Sequence, residues 1–266
     1  MPASRTPVVF VHGLWLHSTS WQPWVELFRE AGYDPIAPEW PDIPDTVAEA
    51  RAVPERFGGH GVADVTAHFA GIIRKLPTPP VVVGHSFGGL IAQQLLGQGL
   101  ARAAVAIDPA PAKGVLALPV SALRVASVAL RNPANRRRAV ALTPAQFRYG
   151  FGNALSEAES AELYEKWTIP TPGRPLFEAA TANLGPSTAT KINTNRPGRG
   201  PLLITAGGRD HTVPPAISKG TARLYRKSPA VTDVVTFPDR GHSLTIDHGW
   251  REVAQTSLDW LARQSL

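Results

Sequence analysis

The serine at position 86 has the setting of a nucleophile. Residues 81–90 read Val-Val-Val-Gly-His-Ser-Phe-Gly-Gly-Leu, so Ser86 lies in a Gly-x-Ser-x-Gly pattern between a β-branched run and a stretch of helical spacing. A strand-to-helix turn that sharp forces the serine into a strained backbone conformation, and Gly84 and Gly88 leave room for it. Ser86 then stands at a helix N-terminus, where free N–H groups and the helix dipole favour developing negative charge. A serine hydroxyl is a weak nucleophile at its ordinary pKa, so this chemistry also needs a base.

Eight histidines are present, and position separates them. His242, in Pro238-Asp239-Arg240-Gly241-His242-Ser243, follows the last predicted strand and is delivered to the same strand ends as Ser86. A histidine base needs a buried carboxylate to fix its tautomer and stabilise the imidazolium. Asp210, in Gly207-Gly208-Arg209-Asp210-His211, follows the preceding strand and is the expected acid. Asp108, in Ile107-Asp108-Pro109 after another strand, is the alternative acid. His211 reads as a structural hydrogen-bonding group, His85 as pointing away along the turn, and His12 as a brace for the turn at Gly13. The pair Asp247-His248 reads as surface.

The elements that must position these groups alternate between two periodicities. Short apolar runs at 7–11, 34–37, 81–83, 103–107, 202–205 and 232–237 predict strands. Helical spacing marks 20–31, 61–76, 87–96 and 250–261. This alternation predicts a mostly parallel sheet flanked by helices. One region departs from it: between about 111 and 186 no strand signal is read, and the segment reads as several helices. Thr143-Pro144 there resembles an N-cap followed by proline at N1, and Ser156-x-x-Glu159 a capping box.

Over essentially its whole length the chain resembles a lidded serine hydrolase of the α/β-hydrolase superfamily. The resemblance rests on His12-Gly13 after an early strand, Gly84-His85-Ser86-Phe87-Gly88-Gly89, and the late Asp210 and His242 loops in the order Ser, Asp, His. It implies a core of residues 1–110 and 187–266 with a helical lid of residues 111–186 over the ligand-binding edge. It also implies an oxyanion hole made by the backbone N–H groups of Leu14 and Phe87, each worth about 3–4 kcal/mol of transition-state stabilisation. Serine at the nucleophile position sets the chain apart from the superfamily's aspartate-dependent dehalogenases and epoxide hydrolases.

Aromatic residues near these motifs are candidates for substrate contact. Trp15 and His17 follow the early turn, and Phe147, Tyr149, Phe151 and Trp167 lie in the expected lid. Trp21 and Trp24 read as core.

Composition bounds the rest. At 266 residues, with 43% hydrophobic and 18% charged, the chain is no disordered or fibrous sequence. The absence of cysteine excludes disulfides and thiolate chemistry. No G-x-G-x-x-G, Walker loop or H-E-x-x-H is present, and no cofactor or metal is expected. The polar residues 1–7 and the lack of a spanning segment predict a cytoplasmic protein with no membrane partner. The net charge is +6, with clusters at Arg131, Arg136, Arg137, Arg138 and at Arg196, Arg199. These read as solvated faces, and no nucleic acid is expected. The expectation is a monomeric or homodimeric hydrolase of a small carboxylic ester, lactone or thioester, working through an acyl-enzyme on Ser86. The alternatives are a cofactor-free oxygenase, lyase or C–C hydrolase using His242 and Asp210 as base, or a non-catalytic receptor.

Overall fold

The computed structural model describes residues 5–186 and 188–266; residues 1–4 and Ser187, at the expected core–lid boundary, lie outside them. The strands are β1 (Pro7–Val11), β2 (Asp34–Ile36), β3 (Val81–His85), β4 (Ala103–Ile107), β5 (Ala139–Val140), β6 (Thr171–Pro172), β7 (Leu202–Gly207) and β8 (Thr232–Phe237). The helices are α1 (Gln22–Glu30), α2 (Val47–Ala52), α3 (Val62–Ile73), α4 (Phe87–Gln98), α5 (Val120–Leu130), α6 (Pro144–Gly150), α7 (Glu157–Trp167), α8 (Arg174–Ala180), α9 (Pro215–Leu224) and α10 (Trp250–Arg263).

Six strands form one sheet in the order β2-β1-β3-β4-β7-β8, and every pairing is parallel. Strands covered on both faces need apolar side chains in both orientations, which is why Val81, Val82 and Val83 follow one another, all fully buried. Alternate residues serve opposite cores. Val9, Val82, Ala104 and Ile204 join α3, α4 and the β4–β7 insertion on one face. Val8, Phe10, Val81, Val83 and Leu203 join α1 and α10 on the other. Trp21 and Trp24 lie in that second core against Phe10 and Phe28.

Strand order reverses between β1 and β3: the chain leaves β1 toward β2 on one side, then returns to build β3 on the other. Connections diverge at such a point and open a crevice at the carboxyl ends of the strands, where ligands bind in open α/β sheets. The turn after β1 and the turn carrying Ser86 both lie there.

The structure differs from the expected elements in several places. Helices α2 and α9 carry no expectation from sequence. The segment expected to lack strands contains β5 and β6, paired antiparallel in two residues each, and Leu16 bridges Thr168 across the insertion. The Thr143 cap is as expected, with Gln146 completing its capping box. Ser156 caps α7 through Glu159 N–H, but the Glu159 carboxylate accepts from His248 instead of returning to the cap. Arg199 is not solvated: it is buried under the β8 approach, donating to Ala230 and Val231 carbonyls and to the Ser228 and Thr232 hydroxyls.

Candidate active site

Ser86 occupies the turn between β3 and α4 with φ 57° and ψ −120°, a conformation costing a non-glycine residue about 1–3 kcal/mol. The surroundings over-determine it. Ser86 N–H donates to the Ile107 carbonyl at 2.9 Å, and its own carbonyl accepts from Ala110 N–H at 2.9 Å and Leu90 N–H at 3.2 Å. A side chain at position 84 would meet the Gly88 carbonyl, and one at position 88 would meet the Val11 carbonyl. Glycine at both sites is therefore a packing requirement that holds the serine against the end of β1.

His242 and Asp210 come from the loops after β8 and β7. His242 Nδ1 lies 2.6 Å from Asp210 Oδ2, while Asp210 Oδ1 accepts from Thr212 N–H at 2.6 Å and Val213 N–H at 2.8 Å. Three contacts thus fix the carboxylate, and the carboxylate fixes the imidazole. The loop is also tied to the serine turn, since His85 Nε2 donates to the His242 carbonyl at 3.0 Å and the two rings stand 4.5 Å apart. Burial, reinforced by His242, holds the His85 pKa well below the ordinary histidine value, so His85 is neutral. His242 Nε2 is buried and has no hydrogen-bond partner among the described residues.

Asp108 reaches the same imidazole from β4, with Oδ2 3.9 Å from His242 Nδ1 and Oδ1 accepting from Gly207 N–H at 2.7 Å. It is fully buried. Burial, then the neighbouring Asp210 carboxylate, raises its pKa well above the carboxylate range, so it is the protonated member of the pair.

The turn after β1 faces the serine turn. An added Cβ at Gly13 would lie 2.7 Å from Ser86 Cβ and 2.9 Å from the His85 carbonyl. Among the described residues neither Leu14 N–H nor Phe87 N–H meets a backbone acceptor, so both donors are free. The next residue is not: Trp15 N–H is bound to Thr171 Oγ1 at 3.0 Å, and Trp15 Nε1 to the Val140 carbonyl at 3.0 Å. These bonds hold Trp15 at φ 65° and attach the turn to the insertion. Behind it, Glu39 stands between two buried histidines, in contact with His12 Nε2 and 3.2 Å from His17 Nε2, and accepts from Ser18 N–H at 2.8 Å. Burial opposes ionisation of Glu39, but His12, His17 and the Ser18 N–H outweigh it and bring the pKa down to about 2.

A cavity of about 110 Å³ opens beside Ser86. Leu14, Trp15 and Phe87 line it from the sheet side, Leu118, Leu123, Ala126, Leu130 and Leu176 from the insertion, and Thr212, Val213 and Ile217 from the segment after β7. Apart from Ser86 and Thr212 its lining is apolar. Of the aromatic candidates for substrate contact, only Trp15 lines it. His17 is fully buried, bonded to Thr19 Oγ1 and the Pro44 carbonyl. Phe147 is enclosed between Phe151 and Tyr164. Tyr149 stacks under Arg124 outside the cavity, and Trp167 lies in a different cleft beside Trp250. His211 bonds the Tyr149 carbonyl. Asp247, expected at the surface, is buried and paired with Arg240 and Ser243. Two sets of residues escape the sequence reading. Glu39 carries no motif, whereas Ala122, Leu123, Ala126 and Leu130 form an apolar stripe at helical spacing that marks one face of α5.

A family model described as "Alpha/beta hydrolase family" matches residues 8–256. The chain belongs to the alpha/beta hydrolase family. No curated protein sequence matches it. Among solved structures, this alpha/beta hydrolase is similar to a monoacylglycerol lipase of Paleococcus ferrophilus, at 22% identity and TM-score 0.69 over 98% of this chain and 97% of the other. Similarity to polyneuridine aldehyde esterase is 19% with TM-score 0.67, over 97% and 99%. The Mycobacterium tuberculosis protein BpoC, named as a non-heme bromoperoxidase, is similar at 22% and TM-score 0.71, over 98% and 93%. Identities this low establish the shared fold, and the different names among these neighbours show that the fold alone does not select a reaction.

Proposed function

We propose that this alpha/beta hydrolase is a serine esterase in which Ser86 attacks the ester carbonyl, His242 accepts and returns the proton, and Asp210 orients His242. The observation that carries the reading is the His242 imidazole, held by Asp210 through Nδ1 with a buried, unpartnered Nε2. That is the arrangement of a general base oriented by a carboxylate. The free Leu14 and Phe87 N–H groups are the expected donors to the tetrahedral oxyanion. Collapse of the intermediate expels the alcohol with the proton from His242 and leaves an acyl-serine, which a water activated by His242 then hydrolyses. Lipase and esterase names among the structural neighbours are in keeping with this chemistry. The apolar lining and modest volume of the cavity favour a short or medium acyl chain over a charged group, and we assign residues 111–186 the role of a lid that forms its outer wall.

The test is Ser86→Ala. Hydrolysis of p-nitrophenyl butyrate should fall by at least about 10³-fold with an unchanged circular dichroism spectrum, and a fluorophosphonate probe should label the native chain but not the variant. Retained turnover in the variant removes Ser86 from the mechanism.

A further inference from the structure

The outer rim of the cavity is more apolar than a site for a freely soluble ester requires. Leu116, Leu118, Val120 and Leu123 are 78%, 72%, 82% and 48% exposed. Exposed large apolar residues scattered singly are ordinary, but four within eight positions make a patch. Leu118 and Leu123 line the cavity beside Ser86, whereas Leu116 and Val120 do not.

The charge around this patch is one-sided. From residue 109 to residue 156 the sequence contains no aspartate or glutamate, but it has seven lysines and arginines. Arg124 and Arg131 lie seven residues apart along and just past α5, on the flank that lines a neighbouring cleft rather than the cavity. Arg136, Arg137 and Arg138 follow in a turn that packs on α5. Among the described residues none of these five arginines is paired with a carboxylate. An exposed apolar strip flanked by unpaired cations is the pattern of a segment that lies in an interface rich in negative headgroups.

We propose that the lip formed by residues 116–123, with its arginine flank, docks on an anionic lipid surface. The exposed leucines and Val120 enter the acyl boundary and the arginines meet headgroup phosphates, which places the cavity mouth against the source of acyl chains. The delivery of an acyl ester rests on the esterase reading above, whereas the docking itself does not. A second copy of the chain is the poorer occupant, because a two-fold contact would set this patch against itself and bring arginine against arginine. Among the described residues no helix is long and apolar enough to cross a membrane. A lipid surface as partner departs from the expectation of no membrane partner, which rested on the lack of a spanning segment.

The experiment is cosedimentation with phosphatidylcholine vesicles, with and without about one-third phosphatidylglycerol. The native chain and Ser86→Ala should both pellet with the anionic vesicles, stay in solution with phosphatidylcholine alone, and be released by roughly 0.5 M salt. The double variant Leu116→Asp/Val120→Asp should lose at least about tenfold in vesicle affinity, and so should Arg136→Glu/Arg137→Glu. Both should keep kcat/KM for soluble p-nitrophenyl acetate within about twofold of native, because none of the four residues lines the cavity. Failure of Ser86→Ala to lose turnover would end the esterase reading and leave the binding result intact. Absence of native binding to anionic vesicles overturns the docking proposal, as does unchanged binding of the Leu116/Val120 variant. A concentration-dependent dimer abolished by that variant also overturns it, since a second copy would then be the occupant.

Discussion

Asp108 and Asp210 both approach one imidazole, and hydrogen bonding separates their roles. Asp210 accepts from two backbone N–H groups and sits 2.6 Å from His242. Asp108, with one such donor and a carboxylate neighbour, is driven to its neutral form. A neutral acid is nearly isosteric with an amide, so Asp108→Asn should keep kcat/KM within about fivefold, whereas Asp210→Asn should lose about 10³–10⁴-fold through the wrong imidazole tautomer. The opposite ranking would make Asp108 the working acid. Glu39 gives a second prediction at this scale. Its folded pKa of about 2 lies below the unfolded value of 4.5, so the carboxylate stabilises the fold above about pH 4.5, and that contribution is lost as pH falls toward 2. Glu39→Gln should therefore cost up to about 3 kcal/mol in urea denaturation at neutral pH, and the gap to the native chain should close steadily below about pH 4. A gap independent of pH would mean that Glu39 acts through packing alone.

The serine turn and the turn after β1 fit only as a pair, because each fills the space the other leaves. Gly13 has no room for a methyl beside Ser86, so Gly13→Ala should push the two turns apart and cost at least about 10²-fold in kcat/KM, since displacements under 1 Å suffice for that. Leu14→Ala should stay within about fivefold of native, because its N–H survives the change; steady-state kinetics on one short ester compares both. This pairing was partly legible in the sequence. Glycines 84 and 88 around Ser86 mark the turn, and continuous apolar runs mark β1 and β3. What stayed hidden depended on partners far along the chain. Nothing local shows that Trp15 N–H is taken by Thr171, or that Glu39 stands between His12 and His17. The same holds for the aromatics of the insertion. Composition names Phe147 and Trp167 as apolar, but only the packing of α6 and α7 decides that neither lines the cavity beside Ser86. Pairings as short as β5 and β6 leave no periodicity to read.

At the scale of the whole molecule, the sheet and the insertion divide the work. The sheet edge supplies Ser86, His242, Asp210 and the two free N–H groups, all within turns that tolerate little change. The insertion supplies most of the apolar wall through α5 and α8, on residues that carry no charge, and under the esterase reading none of them touches the reacting atoms. Acyl-chain selection should therefore be separable from the chemical step. Ala126 projects from α5 into the cavity and is only half-buried, so a larger side chain there fills space without breaking the core. Ala126→Phe should lower kcat/KM for p-nitrophenyl hexanoate by about tenfold or more while leaving the acetate ester within about threefold, one or two methylenes being worth roughly 1–3 kcal/mol in such a pocket. Native and variant would be compared across an acetate-to-octanoate series with thermal unfolding as the check on folding. A chain-length profile unchanged by the phenylalanine would mean that the acyl group does not lie against α5, and the alcohol side of the ester would then be the part that the insertion covers.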